Sequence, residues 1–126
     1  MAVQLNHTIV QAADSVRSSR FVADLLGLGE PTPFGPFQVV TVDNDVNLDF
    51  VRAEGEITPQ HYAFLVSEDD FDAIFGRIRE RGLPHWADPH HQRAGEINTN
   101  DGGRGVYFED LDGHNLEILT RPYGSG

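Results

Sequence analysis

One pattern occurs twice in this chain, and the duplication limits its fold more than any other feature. The first copy opens with Leu5-Asn6-His7-Thr8-Ile9-Val10, whose apolar and β-branched residues read as a strand. Asp14 is placed to cap a helix over residues 15–26, and Gly27 supplies its stop. The second copy opens with His61-Tyr62-Ala63-Phe64-Leu65-Val66. Ser67, with Asp70 three residues on, resembles a capping box, and Gly82 closes the helix that follows. In that helix Phe71, Ile74, Phe75 and Ile78 form one apolar stripe. The interval from His7 to Gly27 matches that from His61 to Gly82 to within one residue.

The copies also end alike. Val46-Asn47-Leu48-Asp49-Phe50 aligns without a gap on His114-Asn115-Leu116-Glu117-Ile118, and both alternate with the period of a half-buried strand. Leu48, Phe50, Leu116 and Ile118 are expected to face helices. Asn47, Asp49, Asn115 and Glu117 then point to the opposite face. Strands are also expected over 37–42 and 105–109, with weaker ones near 31–34 and 84–88. Each half therefore reads β-α-β-β-β, module one spanning about 1–53 and module two about 60–120 of a single 126-residue domain. Residues 53–59 are the expected linker. Residues 90–103, rich in Gly, Asn and Asp, read as a loop with a functional lid as one role.

Composition narrows the partners. Nine Lys plus Arg against twenty Asp plus Glu give a formal charge of −11, which repels phosphate backbones and argues against nucleic acid. No apolar run approaches a membrane span, and the N-terminus lacks the basic and apolar regions of a secretory signal. Cysteine is absent, which removes thiolate ligands and fits a cytoplasmic location.

His7, Asp49, His61 and Glu117 are equivalent under the repeat, each a polar residue on a strand. If the sheets curl round one concave face, these side chains converge. Two imidazoles with one or two carboxylates suit one divalent ion such as Fe, Mn, Ni or Zn, and leave open positions for a substrate. Asp49 has the shorter reach. Tyr107 alternates with Val106 and Phe108, which suits either a place on the face of the four candidates or the packing role of a half-buried strand aromatic. His90, His91 and Arg93 on the long loop are candidates for a general base or an anion clamp, and the bland alternative is a solvated loop. Arg104, beside glycines, suits either a substrate carboxylate or phosphonate or a surface ion pair. Arg121 and Tyr123 lie where they would close a rim. His114 sits in a turn and is expected to be exposed, while Tyr62, Phe64 and Trp86 read as packing.

These residues bring a family into view. Leu5-Asn6-His7-Thr8, the His61–Val66 strand and the run Tyr107-Phe108-Glu109-Asp110-Leu111-Asp112-Gly113-His114-Asn115-Leu116-Glu117 resemble the vicinal-oxygen-chelate superfamily. That superfamily includes glyoxalase I, extradiol dioxygenases, fosfomycin-resistance thiol transferases and bleomycin-binding proteins. The last run is similar to the family's Tyr-Phe-x-Asp-Pro-Asp-Gly-x-x-x-Glu, with Leu111 where proline is usual. The resemblance implies an α+β fold of two βαβββ modules, a curved, cup-shaped mixed sheet with helices on its outer face, and pairing as a homodimer. It puts His7, His61 and Glu117 on ligand positions and Asp49 where glyoxalase I has a glutamate. It also likens Tyr107 to a tyrosine that addresses the substrate oxygen.

Three functions follow from that resemblance. The first is a metal-dependent enzyme chelating two neighbouring oxygens of a small-molecule substrate, with a glyoxalase-like isomerase or lyase favoured over an extradiol ring-cleavage dioxygenase because dioxygenases more often fuse two such units. The second is a non-catalytic, antibiotic-sequestering dimer of the bleomycin-resistance kind, which suits the acidic charge but not an intact ligand set. The third is thiol transfer to fosfomycin, against which stands the absence of that family's serine- and asparagine-bearing potassium loop from residues 90–104.

Overall fold

A computed structural model of the chain describes residues 2–124. The chain divides into two compact units, Met1–Thr58 and Pro59–Gly126. The N-terminal unit runs β1 (His7–Ala12), α1 (Ser15–Leu26), β2 (Thr32–Phe34), β3 (Phe37–Thr41) and β4 (Asn47–Arg52). The C-terminal unit runs β5 (His61–Leu65), α2 (Glu68–Glu80), β6 (His85–Trp86), a 3-10 turn (Asn100–Gly102), β7 (Gly105–Glu109) and β8 (Asn115–Leu119). The fold is α+β, two βαβββ modules, each with its own mixed four-stranded sheet.

The helices begin and end where their capping residues dictate. Asp14 accepts the Arg17 N–H, and α1 stops at Gly27, whose φ of 71° is left-handed. Ser67 accepts the Asp70 N–H at the start of α2, and the acidic residues of its first turn suit the helix dipole. Both sheets have one topology, β1-β4-β3-β2 and β5-β8-β7-β6. Their registers correspond as well. His7 lies opposite Asn47 as His61 lies opposite Asn115. Asp49 lies opposite Val39 as Glu117 lies opposite Tyr107. The duplication inferred from sequence is therefore a duplication of pairing.

Alternation separates the faces as expected. Leu48, Phe50, Leu116 and Ile118 are buried, while Asp49 and Glu117 are half-buried on the other side. In the N-terminal unit α1 lies against β1, β3 and β4, burying Val22, Ala23 and Leu25. In the C-terminal unit Phe71, Ile74 and Ile78 of α2 are buried, each large apolar group contributing about 1.5–3 kcal/mol. Strand β7 departs from alternation: Gly105, Val106, Tyr107 and Phe108 are all buried, so this strand is covered on both faces. Among the described residues no helix is long and apolar enough to cross a membrane.

One expectation is corrected. His114 is not an exposed turn residue: it is 1% exposed, drawn inward because its ring nitrogen accepts a backbone N–H from Gln60. The loop over 90–103 is ordered by hydrogen bonds of its own. Asp88 accepts the N–H groups of Gln92 and Arg93, Asn98 donates to the Ala87 carbonyl at 2.8 Å, and Gly95 N–H donates to His85 O. The loop is stitched to the edge of the sheet.

Candidate metal and substrate site

The C-terminal unit gathers the chemistry on the sheet face opposite its buried Leu116 and Ile118. Glu117 is the centre. Its Oε1 lies 3.0 Å from His61 Nε2, and Tyr107, its register partner, donates its hydroxyl to the same carboxylate. The rings of His61 and Tyr107 meet edge to face, 5.8 Å between centroids. Burial, then the charge of Glu117 and the hydrogen bond to it, push the Tyr107 hydroxyl up to about 12. The phenol therefore stays protonated and serves as a donor at neutral pH.

His91 flanks this group. It stacks on Trp86 with ring centroids 3.7 Å apart and planes 5° from parallel. Its Nε2 lies 3.0 Å from Asn115 Oδ1, which only accepts, so Nε2 carries the proton. Nδ1, 3.8 Å from Glu109 Oε2, is then the nitrogen with a free lone pair. His91 has a φ of 59°, which costs a residue other than glycine about 1–3 kcal/mol. The Trp86 stack and the bond to Asn115 hold it there. Trp86, read from sequence as packing, is thus a shelf for His91, and only the fold brings the two rings together.

On the other side lies a cavity of about 440 Å³, lined by Tyr107, Glu117, Leu119, Asn98, Arg121 and Tyr123 among others. Arg104 also reaches its wall, with its guanidinium engaged by Glu68 Oε1 and Asp72 Oδ1, both at 2.8 Å, and seated over the Phe71 ring. The hydrogen bond to Asp72 leads in raising its pKa, and hydrogen bonds from Thr120 and Arg104 lower that of Glu68. Arg93 pairs with Glu96 at 3.0 Å, both exposed. His90 is exposed.

In the N-terminal unit His7 Nδ1 lies 2.7 Å from Asn6 Oδ1, and Asp49 is flanked by Ile9 and Val39 in the sheet. Val39 stands at the register position of Tyr107, so this unit repeats the ligand types without the phenol. Among the described residues no group of three or more His, Asp or Glu side chains is gathered to hold a metal. The His61–Glu117 pair fits one chemically: an imidazole nitrogen and a carboxylate oxygen already converge, and both are donors for divalent first-row ions.

Residues 4–118 match the Glyoxalase/Bleomycin resistance protein/Dioxygenase superfamily. The chain belongs to it. Two solved structures are similar over nearly their whole length: Oxidase ChaP-H1, 72% identical with a TM-score of 0.96, covering 98% of this chain and 99% of that one, and Oxidase ChaP-H2, 69% identical with a TM-score of 0.97, covering 100% and 99%. Glutathione transferase FosA of Serratia marcescens is 32% identical over 124 residues, 94% of this chain and 81% of that protein. This chain thus shares a superfamily, and at about 70% identity a near-complete structure, with proteins named as enzymes.

Proposed function

We propose that the chain is a metal-dependent oxidase that acts on a small substrate bearing two neighbouring oxygens, with dioxygen as the oxidant. The observation that carries this reading is the convergence of the His61 imidazole and the Tyr107 phenol on the Glu117 carboxylate, at one end of a cavity of small-molecule size. Likeness to the two ChaP oxidases favours oxidation over the glyoxalase-like isomerase or lyase expected from sequence, and brings forward the dioxygenase alternative. His61 and Glu117 are the C-terminal unit's share of the metal set. We assign the N-terminal share to His7 first and Asp49 second, supplied by the same chain or by a second copy in a homodimer.

A divalent ion held there supplies Lewis acidity toward the substrate oxygens and, if Fe or Mn, access to dioxygen chemistry. The chain's own groups divide the remaining work. Tyr107, protonated at neutral pH, is the donor available to a substrate oxygen; Glu117, which accepts that proton's hydrogen bond now, would be a metal ligand in the loaded protein. His91 Nδ1 accepts the proton that a substrate hydroxyl gives up, and Trp86 fixes the plane of that ring. Leu119 gives the cavity an apolar wall, while Asn98 and Arg121 give it polar ones.

The test is to load the protein anaerobically with Fe(II), Mn(II), Ni(II) or Zn(II), then follow oxygen uptake with catechols and, separately, hemithioacetal conversion. Metal-dependent oxygen uptake is the expected result. Hemithioacetal conversion indifferent to oxygen would replace it with the isomerase reading, and a protein that takes up no metal would point to sequestration. Similarity to a glutathione transferase supports thiol transfer as a second reading, and glutathione with an epoxide acceptor is the assay that separates it. In whichever assay is active, Tyr107→Phe is expected to lower kcat about 100-fold while leaving bound metal unchanged. Full activity in that variant would return Tyr107 to a packing role.

A further inference from the structure

His114 takes no part in the reaction proposed above, yet it is one of the most buried side chains of the molecule. Its Nδ1 lies 3.0 Å from the backbone nitrogen of Gln60. A backbone N–H only donates, so Nδ1 accepts, and the ring is neutral with its proton on Nε2. The carbonyl of the same Gln60 accepts the Asn115 N–H at 2.8 Å. Two consecutive residues, His114 and Asn115, therefore grip both polar groups of Gln60. This adds a rung just beyond the parallel pairing of His61–Leu65 with Asn115–Leu119. The residue on the other side of His61 meets the same ring: Tyr62 stands edge-on to His114, 5.7 Å between centroids.

His114 is itself held firmly. Asp110 Oδ1 accepts the N–H groups of Asp112 and His114, each at 2.9 Å, and the Asp110 N–H donates to the His114 carbonyl. By contrast, His61 begins its strand and has a side chain 44% exposed. Strand ends are where sheets open first, and a ligand on an opening end is poorly placed. We propose that His114 is a positioning residue for His61. By accepting the Gln60 N–H it fixes the backbone from which the imidazole reaches Glu117.

The proposal rests on the reading of His61 as a metal ligand, and its test separates the two. Amide hydrogen exchange is measured on the metal-free protein and Zn(II) affinity on the same samples, for wild type, His114→Leu and His114→Asn. Asparagine keeps an oxygen acceptor near the position of Nδ1, and leucine keeps volume alone. Wild type is expected to protect the Gln60 N–H. His114→Leu should expose it and weaken Zn(II) binding about tenfold, the lower end of what outer partners of a ligand contribute. His114→Asn should recover most of both. Rapid exchange at Gln60 in wild type would overturn the proposal without any variant. Equal losses in the leucine and asparagine variants would also overturn it, leaving His114 a packing residue. If His61→Ala leaves Zn(II) affinity untouched, the ligand reading falls, while exchange at Gln60 still decides whether His114 holds that strand end.

Discussion

His61→Ala is expected to abolish stoichiometric metal binding while the protein remains folded. The fold tolerates the change because the His61 side chain is 44% exposed and contributes nothing to the apolar core built on Phe71, Phe108 and Ile118. Its contact of consequence is with Glu117, a half-buried carboxylate that keeps its hydrogen bond from Tyr107 when the imidazole is gone. A direct ligand supplies a coordinate bond, so the loss should exceed the roughly 10–100-fold cost of removing an outer partner. Asp49→Asn provides the calibration. Its register position matches that of Glu117, but no phenol stands opposite, and its side chain is shorter. It should weaken binding less than His61→Ala does and more than a substitution at exposed His90. Elemental analysis with circular dichroism on purified protein measures both quantities. Undiminished metal in a folded His61→Ala protein would reject the site.

Much of this arrangement was legible in the sequence because it depends on short-range rules. Asp14, Ser67 and Gly27 announce helix ends through their own hydrogen bonds and φ preference. The ungapped match of residues 46–50 to 114–118 places Asp49 and Glu117 on the face opposite Leu48 and Leu116, because the strand period is two. Three features were not legible, and each depends on a partner distant in sequence. The burial of His114 follows from Gln60, on a strand end that pairs only after folding. An ion pair is one of the two sequence readings of Arg104, but its partners Glu68 and Asp72, brought to it on α2, are not legible. The His91–Trp86 stack requires the loop to turn back through a left-handed residue, a conformation for which histidine carries little local signal. In the motif around Asp110, the run Asp110-Leu111-Asp112-Gly113 reads as the turn between the last two strands, and Gly113 has the positive φ such a turn needs. Those residues hold the hairpin.

Asp110→Ala and Asp110→Asn should differ sharply in stability, and the difference should depend on pH. Asp110 is 8% exposed, and its Oδ1 accepts two backbone N–H groups. Alanine strands both donors at about 1–3 kcal/mol each, so a loss of about 2–6 kcal/mol is expected. Asparagine retains the acceptor oxygen and should lose far less. Burial raises the Asp110 pKa against the pull of those two N–H groups, so the folded protein binds this proton more tightly than the unfolded chain. Between the ordinary aspartate value of about 3.9 and the raised folded value, native Asp110 holds more proton than the unfolded state, and stability falls as pH rises. Below that window the contribution is fully present; above it, it is gone. Asparagine cannot titrate, so the stability gap between wild type and Asp110→Asn should narrow as pH rises through the window and then stay constant. Urea unfolding at a series of pH values reads the gap directly. A gap that widens with rising pH would mean that the ionised carboxylate is the better-held form. The hairpin would then be organised by charge rather than by the acceptor geometry of one oxygen.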